Sequence, residues 1–418
     1  MAETSHCLTI VIPALNEEDA IGDTVRRCLA ARDHIIASSG VDEVEIIVVS
    51  DGSTDRTEEI AQGFEDVTVL VFEQNRGYGA AIKCGFAHGR GDLVSFLDAD
   101  GTCDPRFFAS LCQAIDGQNA DLVLGSRMGA ESQMPLIRTV GNTLFALLLG
   151  LLSKRLVKDT ASGMRVIRRS CLSDLYPLPD GLHFTPAMSA RVLLEEKLTL
   201  VELPMSYSER TGRSKLSVVH DGVRFLTAIV HAAMAYRPSR PLLLAAGILG
   251  LGALAIAVSP VLHLLRNGVL EEWMIYRVLL ASLLSTLVAI LVCSAVVADR
   301  IAAIAHGRPV ASRGVTGALA RLFTRRVRRV GVVVLGALSL ALVWPGIVEY
   351  LSSGTVEMHW SRAALASLLL VMAGMLGVTT FQLHMMSLIE ARNEDAGVVW
   401  SPDRIHHRRG SAGESQDA

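Results

Sequence analysis

The chain has 418 residues, half of them hydrophobic and 19% charged. That length excludes one ordinary domain and predicts two or three units, while the net charge of −3 averages over two unlike halves and says little by itself. Residues 1–235 read as a soluble domain, whereas 241–390 hold most of the long apolar runs. The seven cysteines are scattered without a C-x-x-C pair and six lie in the soluble half, which argues for a reducing compartment and against a disulfide frame. The first residues lack a basic region followed by an apolar core, so no signal peptide is expected.

Taken in order, residues 8–12 are a β-branched run stopped by Pro13. Asn16, Glu17, Glu18 and Asp19 then open a helix to about residue 37, with acids that complement its dipole. Residues 44–49 predict a second strand ending in Ser50-Asp51-Gly52-Ser53-Thr54-Asp55, and 67–72 a third. Asn75-Arg76-Gly77-Tyr78-Gly79 leads into another helix. Residues 93–97 predict a fourth strand, 122–124 a fifth ending at Gly125-Ser126-Arg127, and 198–207 one more. Alternating strand and helix patterns predict a mostly parallel sheet. Gly77 and Gly79 do not complete a dinucleotide fingerprint, because Ile82 replaces the third glycine and no acid stands at the ribose position.

The fourth strand ends where Asp98 and Asp100 emerge, at the edge of an open α/β sheet where ligands sit. Two carboxylates followed by Gly101 suit a divalent cation holding a diphosphate. The alternative is a strand end whose acids cap a loop or the next helix. Cys103 reads as a small buried hydrophobe.

Residues 136–155 are apolar but carry Arg138, Asn142 and a closing Lys154-Arg155. The uninterrupted stretch is too short for a span, leaving an interfacial helix or a plain core helix. Four runs, about 242–265, 278–298, 330–348 and 363–386, reach or approach the roughly 20 residues a span needs. They predict an α-helical membrane domain over 236–390, followed by a polar, disordered tail over 391–418. The connection between the second and third runs holds Arg300, Arg308, Arg313, Arg321, Arg325, Arg326, Arg328 and Arg329, and the other two connections hold few cations. The excess of arginine predicts that this loop is cytoplasmic, which with an even number of spans puts both termini and the soluble domain there too. Anionic lipid, not nucleic acid, is the expected partner of such a loop.

The segments VIPALNEE, VVSDGSTDRT, NRGYGAAIKCGF and FLDADG, in this order, resemble family 2 glycosyltransferases of the GT-A fold. DTASGMRVIRR, LHFTP and GRSKLS resemble the branch that moves sugar from a nucleotide sugar to a polyisoprenyl phosphate, the dolichyl-phosphate mannosyl- and glucosyltransferases. The resemblance covers about residues 8–235. It implies a Rossmann-like α/β catalytic domain, a UDP- or GDP-linked sugar as donor, a polyprenyl phosphate as acceptor, and Mg²⁺ or Mn²⁺ on the leaving diphosphate.

Residue by residue, it implies that Asp100 holds the metal, with Asp98 beside ribose and metal. Pro13, Asn16, Glu17 and Asp51 match nucleotide positions, although Glu17 and Asp51 also read as a helix start and an Asx-turn. Some relatives have a further metal ligand where this chain has Thr102. Arg127, Ser162, Arg165, Arg213 and Lys215 are candidates for the acceptor phosphate, since a guanidinium fork suits phosphate oxygens. His183 reads as site-lining or structural. A processive polysaccharide synthase is the rival enzyme, but neither its T-E-D-type cluster nor Q-x-x-R-W is found. A non-catalytic scaffold is the rival outside enzymes. The last two spans leave lipid binding, homo-oligomerisation or a flippase partner open.

Overall fold

In the computed structural model, which describes residues 6–129, 134–206, 217–305 and 323–399, each of the first five short apolar runs is a strand. These are β1 (Cys7–Ala14), β2 (Glu43–Asp51), β3 (Thr68–Phe72), β4 (Leu93–Phe96) and β5 (Leu122–Ser126), joined by β6 (Arg165–Arg168) and β7 (Leu200–Pro204). They form one sheet in the order β3-β2-β1-β4-β6-β5-β7. Every pairing is parallel except those of β6 with β4 and β5.

Period-two alternation sends each strand's side chains to two cores. Leu8, Ile10 and Ile12 enter the layer under α1 (Ile21–Ser39), α2 (Thr57–Gln62) and α4 (Phe108–Gly117), whereas Val11 enters the opposite layer. That second layer is built by α3 (Tyr78–His88), α5 (Leu136–Ser153), α6 (Leu172–Leu175), α7 (Phe184–Leu194) and α8 (Val218–Tyr236). Each buried aliphatic side chain contributes about 1.5–3 kcal/mol. The expected GT-A-like mixed sheet is therefore present.

Two local expectations are corrected. Pro13 does not stop β1, which runs on to Ala14. The β1–β4 ladder ends at Val11 and Phe96, so no N–H is required of Pro13 on that side. The sequence also gave no sign of β6, a four-residue strand with arginine at both ends. Its register sets Arg165 opposite Phe96 on one side and Leu124 on the other. The loop 159–164 is thereby brought to the same sheet edge as Asp98.

Contacts divide the chain into Met1–Arg237 and Pro238–Ala418. The second unit holds α9 (Ser239–Asn267), α10 (Ile275–Ala305) and the helices Arg325–Ser353 and Trp360–Val399. The last two pack through small residues, with Ser339 Oγ donating to the Ala366 carbonyl at 2.8 Å. By length and composition, five helices in the described residues suffice to cross a membrane, four of them here and α5 in the first unit. The final helix continues past residue 390 to Val399, into the stretch expected to be a disordered tail. Residues 400–418 lie outside the described residues.

Candidate active site

Between β1 and β4 the strand order reverses, and in sheets of this type the crevice outside that point receives ligands. A cleft of about 450 Å³ lies there, bounded by the C-terminal ends of β1, β2 and β4 and by α5 and α8. Pro13, Glu17, Asp51, Asp98, Asp100 and Arg127 line it.

The acids occupy one end. Asp51 closes β2 and accepts from the N–H of Arg76 at 2.7 Å and of Gly77 at 2.9 Å. Burial raises its carboxyl above the ordinary Asp value, against the pull of those two N–H groups. Asn16 is a clip between loops, for its Oδ1 accepts from the Thr54 N–H at 2.8 Å and its own N–H donates to Ser53 Oγ at 3.1 Å. The N–H of Glu17 donates to Thr57 Oγ1, and its carbonyl accepts from Ala20 and Ile21 at the start of α1. Asp98 accepts from the Tyr78 hydroxyl at 2.7 Å. Asp100 accepts from the hydroxyl of Thr102 at 2.7 Å. Thr102 thus orients an acid instead of replacing one.

These donors fit a hard divalent cation of the Mg²⁺ or Mn²⁺ type. Asp98 and Asp100 offer oxygen only, and no group of three or more His, Cys, Asp or Glu able to hold a metal occurs among the described residues. Two carboxylates whose cation takes its other ligands from phosphate and water are the usual arrangement for Mg²⁺. Cys103 takes no part, since burial pushes its thiol up to about 12.

The helix N-terminus after Gly77 is already filled. The carbonyl of Asp180 accepts from the N–H of Gly79 and Ala80, so a diphosphate cannot bind there as it would in a dinucleotide fold. A Cβ at Gly77 (φ +105°) would overlap that carbonyl.

The expected acceptor cations lie differently from one another. The Arg127 fork closes on Asp159, with Nε at 2.7 Å and Nη2 at 2.8 Å, and its backbone N–H donates to the same carboxylate. Asp159 is fully buried. Burial alone would raise its carboxyl, but the charge and hydrogen bonds of Arg127 hold it below the ordinary range. Ser162 and Arg165 are also fully buried and line no part of the cleft. Ser162 Oγ donates to the Gly125 carbonyl, while Arg165 donates to the carbonyls of Ser162 and Thr160 at 3.0 and 2.9 Å. Burial lowers the Arg165 pKa to about 10, partly opposed by Asp159 and Tyr78, and the group stays charged at neutral pH. Both residues therefore shape the 160–163 loop from below and do not line the cleft. Arg213 and Lys215 lie outside the described residues.

Two cations that the sequence reading left out do line the cleft, Arg138 on α5 and Arg224 on α8. Ile137, Phe145 and Phe225 accompany them, and the two phenyl rings meet at 6.0 Å between centroids. An arginine interrupting an apolar helix was the available signal for Arg138. His183 is absent from the lining; burial and then Arg224 lower its pKa, so it is neutral at pH 7.

The inner face of α5 packs through Asn142, Ala146, Leu149 and Leu152. Its other face exposes Leu136, Val140, Leu144, Leu147 and Leu151, each more than half accessible, and α8 exposes Val223 beside it in sequence to Arg224. Asn142 binds the carbonyl of Lys158 and donates to Asp159, fixing the inner face to the arginine–aspartate pair.

A family model described as glycosyl transferase family 2 matches residues 9–176. The low-salt glycan biosynthesis hexosyltransferase Agl6 of Haloferax volcanii is 31% identical over 265 residues, which cover 62% of this chain and 60% of that protein. The dolichyl-phosphate hexose transferase of the same organism is 33% identical over 236 residues, covering 55% of this chain and 95% of that protein. The dolichyl-phosphate beta-glucosyltransferase of Drosophila melanogaster is 30% identical over 226 residues, covering 50% and 69%.

Proposed function

The chain belongs to glycosyl transferase family 2, and from that premise we propose that it transfers a sugar from a nucleotide-diphosphate sugar to a polyisoprenyl phosphate. One observation carries the reading. A single cleft is lined by acids at the strand ends, Asp51, Asp98 and Asp100, and by Arg138 and Arg224 with Ile137, Phe145 and Phe225 on helices whose outer faces are apolar. A nucleotide sugar with its cation matches the acids, and a phosphate carried on a hydrocarbon matches the arginines and their apolar neighbours. The names of two relatives, a dolichyl-phosphate beta-glucosyltransferase and a dolichyl-phosphate hexose transferase, support the lipid phosphate and the sugar.

In this reading Pro13, Glu17 and Asp51 face the nucleoside, and Asn16 holds the loop that carries Glu17. Asp98 and Asp100 would hold a Mg²⁺ or Mn²⁺ ion, which when bound neutralises charge on the leaving diphosphate. The acceptor phosphate needs no base, because its second pKa near 6 leaves it largely ionised at neutral pH. One of its oxygens attacks the anomeric carbon as the bond to the diphosphate breaks, so the configuration inverts. The acids support this account. Among the described residues that line the cleft they are Glu17, Asp51, Asp98 and Asp100; Asp159 is paired to Arg127, and Asp180 to Lys83. A processive synthase would need a further carboxylate for its sugar hydroxyl.

Arg138→Ala and Arg224→Ala are each expected to lower kcat/KM for the lipid phosphate by roughly 10-fold or more, the size of a charge-assisted contact, with nucleotide binding unchanged. Steady-state kinetics against both substrates checks this, and a selective loss of nucleotide affinity would move either arginine to the donor side. The substrates themselves are found by screening radiolabelled UDP- and GDP-sugars against purified polyprenyl phosphates. Absence of lipid-phosphate product with every donor, alongside turnover on a sugar hydroxyl, would favour the synthase.

The exposed leucines of α5 suit a helix lying in the membrane interface, and the arginines from 300 to 329 support a cytoplasmic loop and, with four spans, a cytoplasmic catalytic domain and termini. A membrane-impermeant thiol reagent on intact cells is expected to label a cysteine at Asn267 but not one at Gly314. The reverse pattern would invert the orientation.

A further inference from the structure

We propose that Tyr78 is the positioning residue of Asp98, and that it is held there by the grip of Asp51 on the preceding turn, so that the nucleoside and cation ends of the donor site are set as one unit; this rests on the donor-site reading above. The Tyr78 hydroxyl donates to Asp98 Oδ1 at 2.7 Å. The other carboxylate oxygen lies against the backbone of Gly163, where a Cβ would overlap it. Asp98 is thus clamped between a phenol and a glycine. The terminal torsion of an aspartate is otherwise broad, and an acid fixed before its ligand arrives has no ordering cost left to meet on binding.

The phenol is itself fixed at both ends. Its ring meets the buried Phe96 edge-on, with centroids 6.4 Å apart and planes at 87°. Its backbone follows directly on Arg76 and Gly77, whose N–H groups both donate to Asp51. Asp51 therefore reaches Asp98 through one covalent turn and one hydrogen bond. Tyr78 lines the cleft beside Asp98, and the role assigned to its hydroxyl passes through that carboxylate.

Tyr78→Phe keeps the ring and its packing on Phe96 and removes only the hydroxyl. The test uses the full chain in detergent, with UDP and GDP as probes, each titrated calorimetrically with and without Mn²⁺. For the nucleotide that wild type binds, Tyr78→Phe is expected to leave metal-free affinity within about twofold and to weaken Mn²⁺-dependent affinity by about 10-fold, the size of a hydrogen bond to a charged group. The melting temperature is expected to hold. Gly77→Ala, whose added Cβ would press the turn off the Asp180 carbonyl, is expected to reproduce the Mn²⁺ defect. A Tyr78→Phe variant with wild-type Mn²⁺ dependence overturns the positioning role, whether or not its melting temperature falls. An unaffected Gly77→Ala overturns the link to Asp51. Failure of wild type to bind either nucleotide with Mn²⁺ overturns the donor-site reading, and this proposal with it.

Discussion

Asp100→Ala is expected to lower turnover by about 10³-fold or more while the chain folds and inserts as before. The leaving diphosphate concentrates charge that a bound cation offsets by several kcal/mol in the transition state, and each 1.36 kcal/mol is worth about a factor of ten. Asp100 follows the end of β4, and its carboxylate accepts from the hydroxyl and the N–H of Thr102. Removing it leaves the hydroxyl of Thr102, a buried residue, without that acceptor, at a cost of about 1–3 kcal/mol. Asp100→Asn separates the two effects. It keeps an acceptor for Thr102 but removes the charge, so it is expected to melt like wild type and to be nearly as inactive as the alanine variant. Product formation from labelled nucleotide sugar, measured with Mg²⁺, with Mn²⁺ and in chelator, checks the expectation. Full turnover in chelator, or by either variant, would remove the cation from Asp100.

Arg127→Ala is expected to destabilise the catalytic unit by about 3–5 kcal/mol, because it strands the carboxylate of Asp159 in a fully buried position. That is a large share of the roughly 5–15 kcal/mol that holds an ordinary domain together. Asp159→Asn is expected to cost less, since a neutral amide can still meet some of the same donors. Asp159 also sets a pH dependence. Its folded-state pKa lies below the unfolded value, so its contribution is complete above the ordinary Asp pKa of about 3.9 and is lost as pH falls through the lower, folded value. Wild type is therefore expected to lose stability with acid in that window more steeply than Asp159→Asn. Melting of the detergent-solubilised chain between about pH 3 and 7 measures both. An Arg127→Ala variant as stable as wild type would show that the pair only shapes the loop.

Much of the acidic lining of the cleft was legible in the sequence. Runs such as 44–49 and 93–97 are short, apolar and β-branched, and stop at acids, so their period and length identify strands while their last residues identify the ligand edge. Asp98 and Asp100 were singled out on that ground, and Asp51 by the resemblance of its segment to family 2 glycosyltransferases. The four long helices of the second unit were equally plain, because length and uniform apolarity are local properties. Thr102 and Tyr78 lay in view too, but only the structure gave them partners.

What only tertiary structure decided was the partner of each charge. Arg127, Arg165, Arg138 and Arg224 look alike in sequence, yet one is locked to Asp159, one is buried on backbone carbonyls, and two face the cleft. Burial separates them, and burial depends on β6, whose four residues between two arginines have too few alternating positions to announce a strand. Wedged antiparallel between β4 and β5, it draws Arg165 beneath the site and the 159–163 loop up to Asp98. Arg138 and Arg224 line one cleft only because α5 and α8 pack side by side. A periodic pattern states which face of an element is apolar; it carries no information about what the element packs against, and there the charges of this cleft were sorted.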